Sequence, residues 1–170
     1  MFIDESGFYL LCSVVHTWAP VGHRPVLRAS LKRKHLSIIG GVTLGGRLYV
    51  GIQPRSYKAT DVVQFLKHLL VWIPGKLIVI WDGINIHRGG EIEAFLASPE
   101  GQRIEAEVLP GYAPELNPAE GIWAYLKRVE LRNVRRNNLS DLRATVRNAV
   151  CRLQRKRHIL LAVIRHVYPV

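Results

Sequence analysis

The sequence predicts a mixed α/β domain, and three observations carry that prediction. The first 55 residues hold apolar runs separated by short turn segments, as an antiparallel meander of three strands requires. Apolar spacing then changes to the helical period over residues 60–73. A continuous apolar run, Leu77-Ile78-Val79-Ile80-Trp81, follows at the length of a strand buried on both faces. The chain has 170 residues, 48% of them hydrophobic, which suits one domain with a sizeable core.

Taken in order, Phe2-Ile3-Asp4 opens an apolar run that resumes at Phe8-Tyr9-Leu10-Leu11, and Ser6-Gly7 predicts a bulge or bend between the halves. Thr17-Trp18-Ala19-Pro20 and Gly22 mark a turn, followed by a basic stretch with Arg24, Arg28, Lys32, Arg33 and Lys34. Leu36 to Leu44 reads as the second strand, Gly45-Gly46 as a tight hairpin turn, and Arg47 to Ile52 as the returning strand. Thr60 is the expected N-cap of a helix whose apolar positions Val62, Val63, Phe65, Leu66, Leu69 and Leu70 end before Pro74-Gly75. After the run ending at Trp81-Asp82, a short helix over Gly90 to Leu96 and a strand over Glu105 to Leu109 are expected. Pro110 to Pro118 reads as an ordered loop. A helix starts at Asn117-Pro118, and another starts from Ser140 as N-cap, with Leu142, Val146, Ala149, Val150 and Leu153 on one face.

Charge is distributed unevenly along this plan. Residues 1–120 hold 12 basic and 11 acidic side chains, whereas residues 121–170 hold 12 basic and 2 acidic. Nearly all of the net +11 therefore lies in the last third, the pattern of a polyanion-facing end, with a solvated basic face as the alternative. No apolar run approaches the ~20 residues that span a bilayer. Nor does a basic lead into a long apolar stretch mark a secretory signal. Two cysteines, Cys12 and Cys151, and seven histidines show no metal-ligand spacing and no disulfide framework. Met1 is the only methionine, and a strand-like run starts directly after it, so the chain is expected to begin inside a longer protein or element.

Three carboxylates stand out. Asp82 closes the apolar run, at the end of the strand where α/β sheets place ligands; a turn-capping Asp is the alternative. Asn117-Pro118-Ala119-Glu120 matches a capped helix start, with Glu120 reaching back to the cap amide, and on local grounds that structural role is the better one. Asp4 alternates onto the face of Phe2, whereas Glu5 falls with Ile3 on the other face, so one of the two can join a shared site. Three carboxylates in one cleft without a cation would repel one another and raise at least one pKa. Oxygen-only ligation suits Mg²⁺ or Mn²⁺, and two such ions serve an in-line phosphoryl displacement.

Phe2-Ile3-Asp4-Glu5-Ser6-Gly7-Phe8, Trp81-Asp82-Gly83-Ile84-Asn85-Ile86-His87 and Leu109 to Trp123 resemble, in order, three motifs of mariner-like bacterial insertion-sequence transposases of the DDE superfamily. The last is the most specific, a Pro- and Gly-rich loop leading into Asn-Pro-x-Glu-x-x-Trp. The chain departs from the family pattern at Gly111 and Gly83, and neither departure removes a ligand. The resemblance implies a ribonuclease-H-like fold and an Asp-Asp-Glu triad at Asp4, Asp82 and Glu120 that binds Mg²⁺ or Mn²⁺, two ions in the expected arrangement. Water would be the nucleophile for strand cleavage and a DNA 3′-hydroxyl the nucleophile for strand transfer.

By the same resemblance, the partners are insertion-element ends and target DNA, in a bacterial cytoplasm at the nucleoid. A homodimer is left open. His87 would touch substrate phosphate or cap a helix, and Trp123 would pack its helix on the sheet. Arg24, Arg28, Lys32, Arg33, Lys34, Lys127, Arg128, Arg143 and Arg147 are the expected DNA-phosphate contacts. Residues 1–170 are expected to be one catalytic domain with a basic helical part over 121–170, truncated so that the family's N-terminal helix-turn-helix region is missing. An inactive DNA-binding remnant and another ribonuclease-H-like nuclease stay open as alternatives.

Overall fold

The computed structural model describes residues 1–10, 16, 18–23, 26, 34–83, 90–111, 113–134 and 136–169. Strands β1 (Phe2–Tyr9), β2 (His35–Val42) and β3 (Leu48–Gln53) form the expected antiparallel meander. The β2–β3 hairpin closes where Thr43 N–H donates to the Arg47 carbonyl at 2.9 Å. β4 (Leu77–Trp81) runs parallel to β1, and β5 (Ile104–Val108) runs parallel to β4. The sheet order is β3-β2-β1-β4-β5, so the chain leaves β1 toward one edge and returns on its other side. That reversal makes the end of the β1–β4 pair a topological switch point, where a crevice opens.

Among the described residues, five α-helices cover the sheet: α1 (Ala59–Trp72), α2 (Gly90–Leu96), α3 (Pro118–Tyr125), α4 (Leu139–Arg155) and α5 (Arg157–Val167). Strand alternation sorts the core into two layers. Ile3, Ile39, Val79 and Trp81 pack against Val62, Leu66 and Leu69 of α1 and against Ile92 of α2. Phe2, Phe8, Ile38 and Val42 face the opposite way, against α3, α4 and α5 through Ile122, Val146, Leu153 and Leu160. Gly121 lets α5 approach α3 closely, because an added Cβ there would lie 2.7 Å from Val163 Cγ1. The guanidinium of Arg103 donates to the carbonyls of Leu70, Ile73 and Gly75, closing the end of α1 onto the start of β5.

Several local expectations shift. β1 carries no bulge at Ser6-Gly7, since all eight of its residues pair one-for-one with β2 and that ladder overrides the local turn signal. The N-cap of α1 is Lys58 rather than Thr60, with Lys58 N–H donating to the Asp61 carboxylate at 2.9 Å. The N-cap of α4 is Asn138 rather than Ser140, its Oδ1 accepting from Asp141 N–H at 2.9 Å. β4 is fully buried on one face only: on the other, Ile78 is 51% exposed while Ile80 packs in part against the α3, α4 and α5 side of the core. β5 begins one residue earlier than expected, at Ile104.

The basic tail folds as two helices, α4 and α5. Lys156 has non-helical backbone (φ −96°, ψ 59°) and separates α4 from α5. α3 continues as a π-helical segment, Leu126–Glu130, whose Glu130 accepts from Arg152 Nε at 2.8 Å and Lys156 Nζ at 2.7 Å. This nearly buried carboxylate holds the α4–α5 corner against the end of α3.

The start of α3 is tied to the sheet by Asn117. Its Oδ1 accepts from Ala119 N–H at 3.1 Å as N-cap, and its Nδ2 donates to the Ile3 carbonyl at 3.2 Å. Asn117→Ala should lower stability by about 2 kcal/mol in urea denaturation, since it removes a cap and leaves a buried carbonyl without its donor. Asn117→Asp, which keeps the cap acceptor, should recover part of the loss. An unchanged midpoint for the alanine variant would contradict this role.

Candidate active site

Asp4 is the third residue of β1 and points to the face of Phe2 and Phe8. The parallel pair places Phe2 beside Ile80, and both chains then advance two residues, to Asp4 and to Asp82 immediately after β4. The expected strand-end position of Asp82 is thus observed, and the switch-point geometry sets the two aspartates side by side. Glu120 lies in the first turn of α3 with its side chain exposed.

Asp4, Asp82 and Glu120 line one cleft of about 160 Å³, walled by Gly83, Asn117, Leu109, Pro110, Gly111, Ala113 and Pro114. Glu120 does not return to the cap amide as the local sequence pattern suggested. Asn117 N–H instead donates to the Pro114 carbonyl at 2.9 Å, within the short 3₁₀ turn Pro114–Leu116, and the Glu120 carboxylate faces the cleft. Tyr168 supports that loop: its hydroxyl donates to the Leu116 carbonyl at 2.8 Å while its ring stacks on Phe2.

The electrostatics are those of crowded carboxylates. Asp4 is 5% exposed. Burial, then the Glu120 charge, pushes its pKa up to about 7, and Asp82 adds to the rise. Two hydrogen bonds act the other way, from the Trp123 indole and from the Glu5 backbone. The Trp123 bond is short, with Nε1–H donating to Asp4 Oδ2 at 2.8 Å. Lys127, in the π-helical segment, donates from Nζ to Ser6 Oγ at 2.8 Å and lies 5.2 Å from the centroid of the Phe8 ring. Burial lowers its pKa, and the charges of Glu120 and Asp4 oppose that shift. Among the described residues, no three His, Cys, Asp or Glu side chains are gathered closely enough to hold a metal ion as they stand. The three carboxylates share the lining of the cleft.

The other expected site residues fall in three places. Arg143 and Arg147 line a groove of about 300 Å³ beside Val50 and Ile52 of β3. Lys34 and Arg128 are exposed, before β2 and in the π-helical segment respectively. Arg24, Arg28, Lys32, Arg33 and His87 lie outside the described residues. Sequence reasoning assigned Trp123 to packing and missed its bond to Asp4. Its position three residues past Glu120, on the same helix face, was the available signal.

Sheet order and cleft position are those expected of a ribonuclease-H-like domain with an acidic site. A family model described as DDE superfamily endonuclease matches residues 1–143. The chain belongs to that family. Its fold is similar to "Crystal structure of the mariner Mos1 paired end complex with Mg", at 16% identity and a TM-score of 0.73, covering 98% of this chain and 51% of that one. The complex with Mn matches at 14% identity with the same TM-score and coverage. "Structure of Mos1 transposase catalytic domain and Raltegravir with Mn" matches at 13% identity and a TM-score of 0.61, covering 98% of this chain and 76% of that one. The chain spans about half the length of the Mos1 chains in the paired-end complexes. A search of curated proteins finds no match to the chain.

The raised pKa of Asp4 has a defined sign. An unfolded Asp titrates near ~3.9, so between about pH 4 and pH 7 the native state binds the extra proton. The stability that proton confers is present below pH 4 and is lost as pH rises through about 7, by about 4 kcal/mol at most. In EDTA, the melting temperature of Asp4→Asn relative to wild type should therefore rise from pH 5 and level off above about pH 7. A difference independent of pH would contradict the crowded, buried carboxylate.

Proposed function

We propose that the chain is the catalytic domain of a DNA transposase, cleaving and rejoining DNA strands by in-line phosphoryl transfer. The observation that carries this is the meeting of Asp4, Asp82 and Glu120 in one cleft at the switch point of the sheet. Their hard-oxygen donor set, with Asp4 held at a raised pKa by burial and then by the Glu120 charge, is short of positive charge in a way that a divalent cation would correct. Asp4, Asp82 and Glu120 would hold Mg²⁺ or Mn²⁺, two ions in this reading. When bound, these ions activate the attacking oxygen and offset charge on the leaving oxygen.

The chain's own residues then do the positioning. Asn117 fixes the first turn of α3 on β1, so Glu120 and Asp4 stay opposed. Lys127 stands where a phosphodiester entering the cleft needs a counter-charge. In strand cleavage a water oxygen bonds to phosphorus and the 3′-oxygen leaves, taking a proton. In strand transfer that 3′-hydroxyl attacks a target phosphodiester, loses its proton and displaces the next 3′-oxygen.

Arg143, Arg147, Arg128 and Lys34, together with Arg24, Arg28, Lys32 and Arg33, contribute phosphate contacts that give affinity and salt dependence without sequence choice. His87 follows Asp82 closely enough in sequence to touch the same substrate. Among the described residues no helix is long and apolar enough to cross a membrane. A bacterial nucleoid setting and a homodimeric assembly on paired ends belong to this reading.

Purified chain should nick supercoiled plasmid in Mn²⁺ or Mg²⁺ and lose that activity in EDTA. Asp82→Asn should reduce nicking at least ~100-fold while leaving DNA retention in a gel shift unchanged. Nicking that persists in EDTA would overturn the proposal. Cleavage of RNA–DNA hybrids in preference to DNA would assign a different nuclease.

A further inference from the structure

Trp123 is 1% exposed, and its indole spans from α3 to β1, where its N–H meets Asp4. A ring that large reaches the strand because of the residue beside Asp4. Gly40 of β2 is the cross-strand partner of Asp4, and an added Cβ at Gly40 would lie 2.4 Å from Trp123 Cη2. The indole therefore rests on bare β2 backbone. Phe8 meets it edge-on with ring centroids 6.3 Å apart, which fixes its tilt. One helix thus supplies Glu120 to the cleft and, three residues later, a rigid donor to Asp4. A carboxylate has about four acceptor sites, so this bond sets the orientation of Asp4 and leaves acceptors for a cation.

We propose that Trp123, seated by Gly40, is the positioning residue of the cleft: its indole N–H holds the Asp4 carboxylate in the orientation that binds a divalent cation jointly with Asp82 and Glu120. The inference rests on reading those three carboxylates as a divalent-metal site. Partners of this kind are worth about 10–100-fold in metal affinity. Two substitutions separate the bond from the packing. Trp123→Phe keeps an aromatic ring against Gly40 and Phe8 and removes the donor. Gly40→Ala keeps the donor and pushes the ring off its seat.

Calorimetric titration with Mn²⁺ in the absence of DNA tests this on wild type, Trp123→Phe, Gly40→Ala and Asp82→Asn. Circular dichroism in EDTA shows that each variant is folded. Wild type should bind Mn²⁺, Asp82→Asn should not, and both Trp123→Phe and Gly40→Ala should bind about 10–100-fold more weakly. Plasmid nicking by Trp123→Phe should return to within a few-fold of wild type at saturating Mn²⁺, which damage to packing would not allow. Wild-type affinity in a folded Trp123→Phe overturns the inference and leaves the metal site standing. If Trp123→Phe fails to fold, wild-type affinity in Gly40→Ala overturns it equally. Absence of binding by wild type, or equal binding by Asp82→Asn, overturns the metal site itself and the inference with it.

Discussion

Asp4 carries a carboxylate almost out of contact with water, in a strand paired on both sides, with two further carboxylates facing it. A charge in that position is expensive unless it is compensated, and much of the surrounding architecture can be understood as compensation. The indole of Trp123 and the Glu5 amide hydrogen-bond it, and Lys127 stands nearby on the same helical extension as Trp123. Asn117 keeps that helix in place by bonding both its own first turn and the strand residue before Asp4. Remaining negative charge is concentrated at the mouth of a small cleft at the sheet's switch point, the geometry in which a bound cation is worth most.

The basic end of the chain divides into two uses. Arg152 and Lys156 are spent on Glu130, fixing the corner between α4 and α5 against the π-helical end of α3. Arg143 and Arg147 face outward along β3 instead, in a groove floored by apolar side chains. The excess of positive charge after residue 120 is thus partly internal scaffolding and partly an exposed basic surface. Anchoring of the Glu120-bearing helix and that basic surface are drawn from the same stretch of sequence.

Strand and helix positions near the site were legible because local signals and tertiary packing agree there. Gly45-Gly46 marks a real hairpin, Leu77 to Trp81 a real strand, and Asn117-Pro118 a real helix start. The sharing of one cleft by Asp4, Asp82 and Glu120 was legible through motif resemblance more than through local physics, which favoured a capping role for Glu120. What overturned that role is a competing bond, Asn117 N–H to Pro114, formed by a loop whose fold no periodicity encodes. The final helix, α5, went unread because no side chain caps its start. The contact of Trp123 with Asp4 was hidden for a different reason. It depends on which β2 residue lies opposite Asp4, and strand register across a long connection is not written in either strand alone.

The most direct test of the shared acidic cleft is anomalous diffraction from crystals of the chain soaked in Mn²⁺. The proposed metal site predicts an anomalous peak bounded by the carboxylates of Asp4, Asp82 and Glu120, and its disappearance in crystals of Asp82→Asn. Ordered Mn²⁺ elsewhere with none in this cleft, or an unchanged peak in the variant, would contradict it.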